Sequence, residues 1–139
     1  MPMITLQLAV EPDERLARTA AQTVTTLTAE LLGKDPRVAA VAVDFVPPRL
    51  WFVGGKSVEE LGTRAFFLDV RVTDGTNDKD EKARYIAAAF EALSRLLGGV
   101  HPESYVHVDD VRADAYGYGG LTQERRYVQS HPVPAVPAP

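Results

Sequence analysis

The sequence contains no cysteine, which excludes disulfide bonds, thiolate nucleophiles and cysteine-ligated zinc sites. Its apolar runs are too short to span a membrane, and its amino terminus lacks the charge pattern of a signal peptide. The net charge of −4 includes no basic block, so nothing indicates nucleic-acid binding. We therefore expect a cytoplasmic protein that binds neither nucleic acid nor membranes.

Motifs for metal ions and phosphate groups are also missing. His101, His107 and His131 are scattered and show neither HxH nor HExxH spacing. The glycine pairs at 54–55 and 119–120 lack the lysine, serine and spacing of phosphate-binding loops, so we interpret them as turns. The second turn is expected to form a hairpin. The sequence thus predicts no bound metal and no cofactor.

The pattern of apolar residues predicts two β-α-β units in one domain. Alternating or mostly apolar segments predict strands over residues 3–10, 38–45, 65–72 and 104–111. A helix is expected to begin with Pro12 in its first turn and to end at Gly33. A second helix is expected over 78–97, where Asp78 and Glu81 have capping-box spacing. Its residues Ile86, Phe90, Leu93 and Leu97 are expected to face the sheet.

The predicted fold class is α/β (α+β), a four-stranded mixed sheet with two helices on one face. Residues 1–128 would form the domain, and the proline-rich segment 129–139 a disordered or loosely extended tail. Two helices cover only one face of such a sheet. The other face would carry polar residues, namely Thr5, Gln7, Asp44, Asp69, Arg71, His107 and Asp109. This mixture predicts that further subunits cover that face.

Pro2 has two interpretations. Proline is tolerated as the first residue of a strand, where its missing N–H costs little. Alternatively, removal of Met1 would make Pro2 a secondary amine. Burial would lower the pKa of that amine from about 8, and a neutral amine is a competent general base for taking a proton from a carbon beside a carbonyl.

Three stretches resemble the tautomerase superfamily, and most closely its branch of macrophage migration inhibitory factor and phenylpyruvate tautomerase. They are "MPMITLQLAV", "LGKDPRVAAVAVDFVPPRLWFVGG" and "SYVHVDDVRADAYGYGG". The likeness spans roughly residues 2 to 120, and the segment after Gly120 has no clear counterpart. The resemblance implies a homotrimer with active sites at subunit interfaces. It also implies a cofactor-independent keto–enol tautomerase, an isomerase acting on a small 2-keto acid.

The resemblance assigns roles to five residues. Pro2 falls on the catalytic base, and Lys34 on the lysine that binds the substrate carboxylate. Tyr105 falls on a tyrosine that lines the pocket from the neighbouring subunit, and Tyr118 on an aromatic at the pocket rim. His107 stands where the family usually has asparagine. Tyr105 and His107 are two positions apart on a strand, so their side chains share a face.

Other interpretations of these residues remain open. Lys34 could be a solvated loop lysine, Tyr105 an ordinary strand aromatic and His107 a polar interface residue. Arg71 is a candidate for binding a carboxylate, which with Asp44 would suit a decarboxylase or hydratase variant of the superfamily. Alternatively, Arg71 pairs with Asp69 or Asp44. The remaining alternative is a non-enzymatic trimeric protein that acts in binding or assembly.

Overall fold

A computed structural model describes residues 2–139, and Met1 lies outside the described residues. Its strands and helices follow one another along the chain. They are β1 (Met3–Leu8), α1 (Glu14–Leu32), β2 (Ala40–Phe45), β3 (Phe52–Val53), β4 (Lys56–Ser57), β5 (Phe66–Thr73), α2 (Lys79–Leu97), β6 (Tyr105–Val111), β7 (Gly117–Tyr118), β8 (Leu121–Thr122) and α3 (Gln123–Ser130).

The main sheet has the strand order β2-β1-β5-β6. β1 and β2 are parallel, β5 and β6 are parallel, and the two pairs meet where β1 runs antiparallel to β5. This arrangement confirms the predicted mixed sheet built from two β-α-β units. The hairpin β7–β8 forms at the second glycine pair, as predicted, and the turn predicted at the first pair joins the short strands β3 and β4.

Each long helix begins after an aspartate whose side chain caps it and ends at a glycine, Gly33 for α1 and Gly98 for α2. The carboxylate of Asp13 accepts hydrogen bonds from the backbone N–H groups of Arg15 and Leu16, so α1 begins after Asp13. The expected start with Pro12 in the first turn was therefore wrong. The capping box of Asp78 and Glu81 is present at α2, as predicted.

The core lies between the two helices and one face of the sheet. Alternate residues of the two central strands are fully buried on that face, namely Ile4, Leu6, Leu8, Phe66, Leu68, Val70 and Val72. α1 contributes Val24 and α2 contributes Leu93, both also fully buried. The prediction that Ile86 faces the sheet was wrong, because its side chain is 39% exposed while Tyr85 is fully buried.

Tyr85 is buried at this turn of α2 in place of Ile86, and its hydroxyl forms a hydrogen bond with Thr28 of α1. The Thr28 hydroxyl donates to the carbonyl of Val24 at 2.7 Å, so the Tyr85 hydroxyl, 2.9 Å away, must be the group that donates to Thr28 Oγ1. Burial raises the pKa of Tyr85 to about 12, which keeps the phenol protonated. The tyrosine can therefore be buried because its single proton has an acceptor.

This hydrogen bond predicts unequal costs for removing its two partners. Thr28→Val leaves the Tyr85 proton buried without an acceptor and is expected to cost about 1–3 kcal/mol in the free energy of unfolding. Tyr85→Phe leaves Thr28 bonded to Val24 and is expected to cost about 1 kcal/mol. Urea denaturation of both variants measures the difference. Equal costs, or a larger cost for Tyr85→Phe, would contradict the assigned direction of the bond.

Within residues 2–139, both long helices pack on one face of the sheet and neither covers the second face. The polar residues predicted for it do lie there, because the paired residues of neighbouring strands point to the same side. Met3 and Tyr105, at 39% and 58% exposed, are on the same face. Over residues 2–139, no helix is long and apolar enough to cross a membrane.

The boundaries of two predicted segments differ from expectation. Residues Pro36–Val38 form a 3₁₀ turn capped by Asp35, so β2 begins at Ala40 rather than Val38. Helix α3 was not predicted, and it includes the first two residues of the expected tail. Residues 131–139 are exposed and form no regular secondary structure.

Candidate active site

Pro2 lies at the amino end of β1 and is buried. Its carbonyl accepts a hydrogen bond of 3.2 Å from the backbone N–H of Ala40, which joins the start of β1 to the start of β2. Pro2 lines a cavity of about 540 Å³. The other residues that line it are Met3, Val38, Ala40, Arg71, Tyr116, Gly117, Tyr118 and Gln123. The cavity is thus largely apolar, with one guanidinium, two phenols and one amide.

Arg71 provides the positive charge of this cavity. It lies opposite Met3 in the pairing of β1 with β5. Its Nε is 3.5 Å from Oδ2 of Asp69, whose other oxygen is 3.4 Å from Nδ1 of His107. The side chain of Asp69 is only 14% exposed, so its carboxylate connects His107 of β6 to Arg71. Arg71 therefore both borders the cavity and forms the expected contact with Asp69.

The structure separates Asp44 from Arg71. Asp44 is opposite Gln7 in the pairing of β1 with β2, whereas Arg71 is opposite Met3. Four residues of a strand correspond to about 13 Å. The two candidates for a decarboxylase or hydratase therefore do not meet within one chain.

Tyr116 bridges the two central strands beside the cavity. Its hydroxyl accepts a hydrogen bond from the N–H of Met3 at 3.1 Å and donates one to the carbonyl of Arg71 at 3.2 Å. Burial raises the pKa of Tyr116, opposed by the Met3 N–H and the charge of Arg71. The next residue must be glycine, because a Cβ on Gly117 would lie 2.1 Å from the carbonyl oxygen of Leu121.

Tyr118 forms the wall between two cavities. The guanidinium of Arg126 lies 3.8 Å from its ring centre and donates a 2.9 Å hydrogen bond to its carbonyl. Such a cation–π contact holds the ring against α3. Tyr118 and Gln123 line both the Pro2 cavity and a neighbouring cavity of about 630 Å³. These two residues therefore lie between the Pro2 cavity and the neighbouring cavity.

Lys34 lies in the neighbouring cavity and not with Pro2. Its Nζ donates a 2.8 Å hydrogen bond to the hydroxyl of Thr76. Burial lowers the pKa of Lys34, and the carboxylates of Glu81 and Asp110 oppose that shift. The structure consequently places a different cation, Arg71, beside Pro2.

Tyr105 and His107 lie on β6, away from the Pro2 cavity of their own chain. Tyr105 is opposite Phe67 in the sheet, whereas Arg71 is opposite Asp109, four positions further along β6. The Tyr105 hydroxyl donates to Glu103 at 2.8 Å, and this bond raises its pKa. Its ring lines a separate aromatic cavity together with residues 51–54. One chain therefore brings together Pro2, Arg71 and Tyr118, but not Lys34, Tyr105 or His107.

Sequence reasoning missed Gln123. The signal for it was weak, since Thr122 is a favourable helix cap but only eight residues of helix follow it. Among residues 2–139, no group of three or more His, Cys, Asp or Glu side chains is placed to hold a metal ion.

Neither a protein-family model nor a curated protein matches the sequence. Solved structures do match the fold. A fused 4-OT described as a wild-type symmetric trimer is 15% identical with a TM-score of 0.76, covering 88% of this chain and 96% of its own. Pt0534 inactivated by 2-oxo-3-pentynoate is 14% identical with a TM-score of 0.77, covering 89% and 98%.

A macrophage migration inhibitory factor-like protein from Entamoeba histolytica is also similar. It is 18% identical, has a TM-score of 0.72 and covers 87% of this chain and 97% of its own. These similarities confirm the predicted resemblance to the tautomerase superfamily at the level of the fold. Two of the fused 4-OT structures with this fold are described as a symmetric and an asymmetric trimer.

Proposed function

We propose that this chain, whose fold is that of the tautomerase superfamily, is a cofactor-independent keto–enol tautomerase of a small 2-keto acid. Pro2 would be its general base after removal of Met1. The observation that carries the proposal is the burial of Pro2 in an apolar-lined cavity that also contains the guanidinium of Arg71. The buried amine would supply the base of this isomerisation, and the cation would bind the carboxylate of a 2-keto acid.

The proposed chemistry follows from these two groups. Burial disfavours the charged form of the Pro2 amine and lowers its pKa, so that the neutral amine is available near neutral pH. Arg71 would bind the substrate carboxylate through its guanidinium. The amine would take a proton from C3, the C2 carbonyl would become an enolate, and the proton would return to the C2 oxygen.

We further propose that the active form is a cytoplasmic homotrimer. The uncovered face of the sheet carries polar and aromatic side chains, including Tyr105 and His107, that do not line the Pro2 cavity of the same chain. A neighbouring copy could bring them to the Pro2 cavity, where they would orient or polarise the substrate oxygen. The fused 4-OT neighbours described as trimers support such an assembly.

Labelling with 2-oxo-3-pentynoate, which inactivates the similar Pt0534, tests whether Pro2 is a free and reactive amine. The Pro2 nitrogen would add to the alkyne carbon remote from the ketone, and its proton would pass to the adjacent carbon. Intact mass should increase by one whole reagent molecule, and peptide mapping should locate the adduct on Pro2. Loss of activity should follow the labelled fraction.

Protein that retains Met1 is the matched control, because its Pro2 nitrogen is an amide and should not react. If protein without Met1 neither reacts with the reagent nor shows tautomerase activity, the tautomerase proposal is contradicted and the non-enzymatic trimer is favoured. If protein without Met1 and without label releases carbon dioxide from a 2-keto acid, or adds water to a related substrate, the decarboxylase or hydratase variant would be favoured instead.

A further inference from the structure

Gln123 lines the Pro2 cavity, and its side chain carries an amide donor that has no partner within the described part of the chain. Its Nε2 is buried and has no hydrogen-bond partner among residues 2–139. Buried donors without a partner are rare in folded proteins and cost free energy. Because Gln123 lines the cavity, a bound molecule could supply the missing acceptor.

The local structure fixes the position of Gln123. It is the first residue of α3, where Thr122 caps the helix by accepting a 3.0 Å hydrogen bond from Arg125 N–H. The Gln123 N–H donates to the carbonyl of Tyr116 at 2.8 Å. Arg126, one turn further on, is held against Tyr118 by the stacking and the hydrogen bond described above. These hydrogen bonds fix the backbone of Gln123 in the first turn of α3, so its side chain does not extend from a flexible loop.

We propose that Gln123 donates a hydrogen bond from Nε2 to the C2 oxygen of the substrate in the Pro2 cavity. This inference rests on the proposed function and adds a hydrogen-bond donor from the same chain to the groups that a neighbouring copy would bring to that oxygen. With the carboxylate on Arg71 and C3 at the Pro2 nitrogen, the C2 oxygen of a planar 2-keto acid needs a donor of its own. Gln123 is the lining side chain whose donor is buried and unpaired.

The step balances without a further reactant. The Pro2 nitrogen removes the C3 proton, the C–H electron pair becomes the C2–C3 double bond, and the carbonyl π pair moves to oxygen. The Nε2–H of Gln123 strengthens its hydrogen bond as that oxygen becomes negative. A neutral amide suits this position, because a second cation beside the amine would compete with Arg71 for the carboxylate.

Kinetics of Gln123→Leu test this role. Removal of a donor to a developing oxyanion costs about 10²–10³ in kcat, and we expect a loss at the lower end of that range with KM raised by no more than about tenfold. Gln129→Leu is the matched control, since Gln129 is an exposed residue of the same helix. Thermal unfolding checks that both variants fold. An active wild type with a kcat for Gln123→Leu within threefold of Gln129→Leu would overturn the inference and leave the proposed function intact.

A binding measurement separates this inference from the proposed function. Phenylglyoxylate is a 2-keto acid with no hydrogen on C3, so it can bind without reacting. In a ¹⁵N NMR titration, the side-chain NH₂ pair that is missing from the Gln123→Leu spectrum should shift, while that of Gln129 stays in place. We expect a three- to tenfold weaker Kd for Gln123→Leu. If the Gln123 NH₂ signals shift but the wild-type protein has no tautomerase activity, Gln123 is supported as a donor to the ligand and the proposed function fails. Binding without the shift, or no binding at all, would overturn the inference.

Discussion

Replacing Pro2 with alanine is expected to lower kcat/KM for ketonisation of a 2-keto-acid enol by about 10²-fold. General-base catalysis contributes about 10²–10⁴ to rates of this kind. Alanine would leave a primary amine that rotates freely, whereas the proline ring fixes the direction of the nitrogen lone pair. The backbone bond from Ala40 to the carbonyl of residue 2 does not depend on the side chain, so the strand should still form. The decay of enol absorbance measures the change.

Two further variants sharpen this prediction. An alanine inserted between Met1 and Pro2 keeps the proline nitrogen as an amide, so the full general-base contribution should disappear. Pro12→Ala changes an exposed proline outside the cavity and should leave kcat/KM unchanged. Wild-type activity in the insertion variant would exclude Pro2 as the base.

Local patterns were sufficient to predict most of the fold. Alternation of apolar residues identifies the buried face of β1, and the capping box at Asp78 with the left-handed Gly33 and Gly98 marks helix ends. These signals work because they depend only on residues close in sequence. The expected orientation of Ile86 was wrong because Tyr85 is buried instead, and the acceptor for the Tyr85 hydroxyl is Thr28, 57 residues away in the sequence.

The candidate site could be predicted only where one residue carried the signal. Pro2 is distinctive because of its place in the chain and its chemistry, and Arg71 because it is a charged residue within an apolar strand. Gln123 has neither property, and its burial depends on how α3 packs beside the β7–β8 hairpin. The environment of Lys34 could not be predicted from the sequence either, because the direction of its side chain depends on a hydrogen bond to Thr76, in the loop after β5.

This difference between Arg71 and Lys34 predicts which cation binds the substrate carboxylate. Arg71→Gln is expected to raise KM for a 2-keto acid by about 10- to 100-fold, since hydrogen bonds to charged groups are worth about 1.5–3 kcal/mol. Lys34→Ala is the comparison, and we expect its KM to change less than threefold, because Nζ binds Thr76 in the neighbouring cavity.

Asp69→Asn adds an intermediate case in the same series. It leaves the Arg71 guanidinium in place but removes the carboxylate that lies 3.5 Å from its Nε and faces His107. Steady-state kinetics of the three variants should therefore rank them with Arg71→Gln most affected, Asp69→Asn next and Lys34→Ala least. A larger KM effect for Lys34→Ala than for Arg71→Gln would assign the substrate carboxylate to Lys34, as the sequence resemblance implies. Tyr118 and Gln123, which separate the two cavities, would then have to move when the substrate binds.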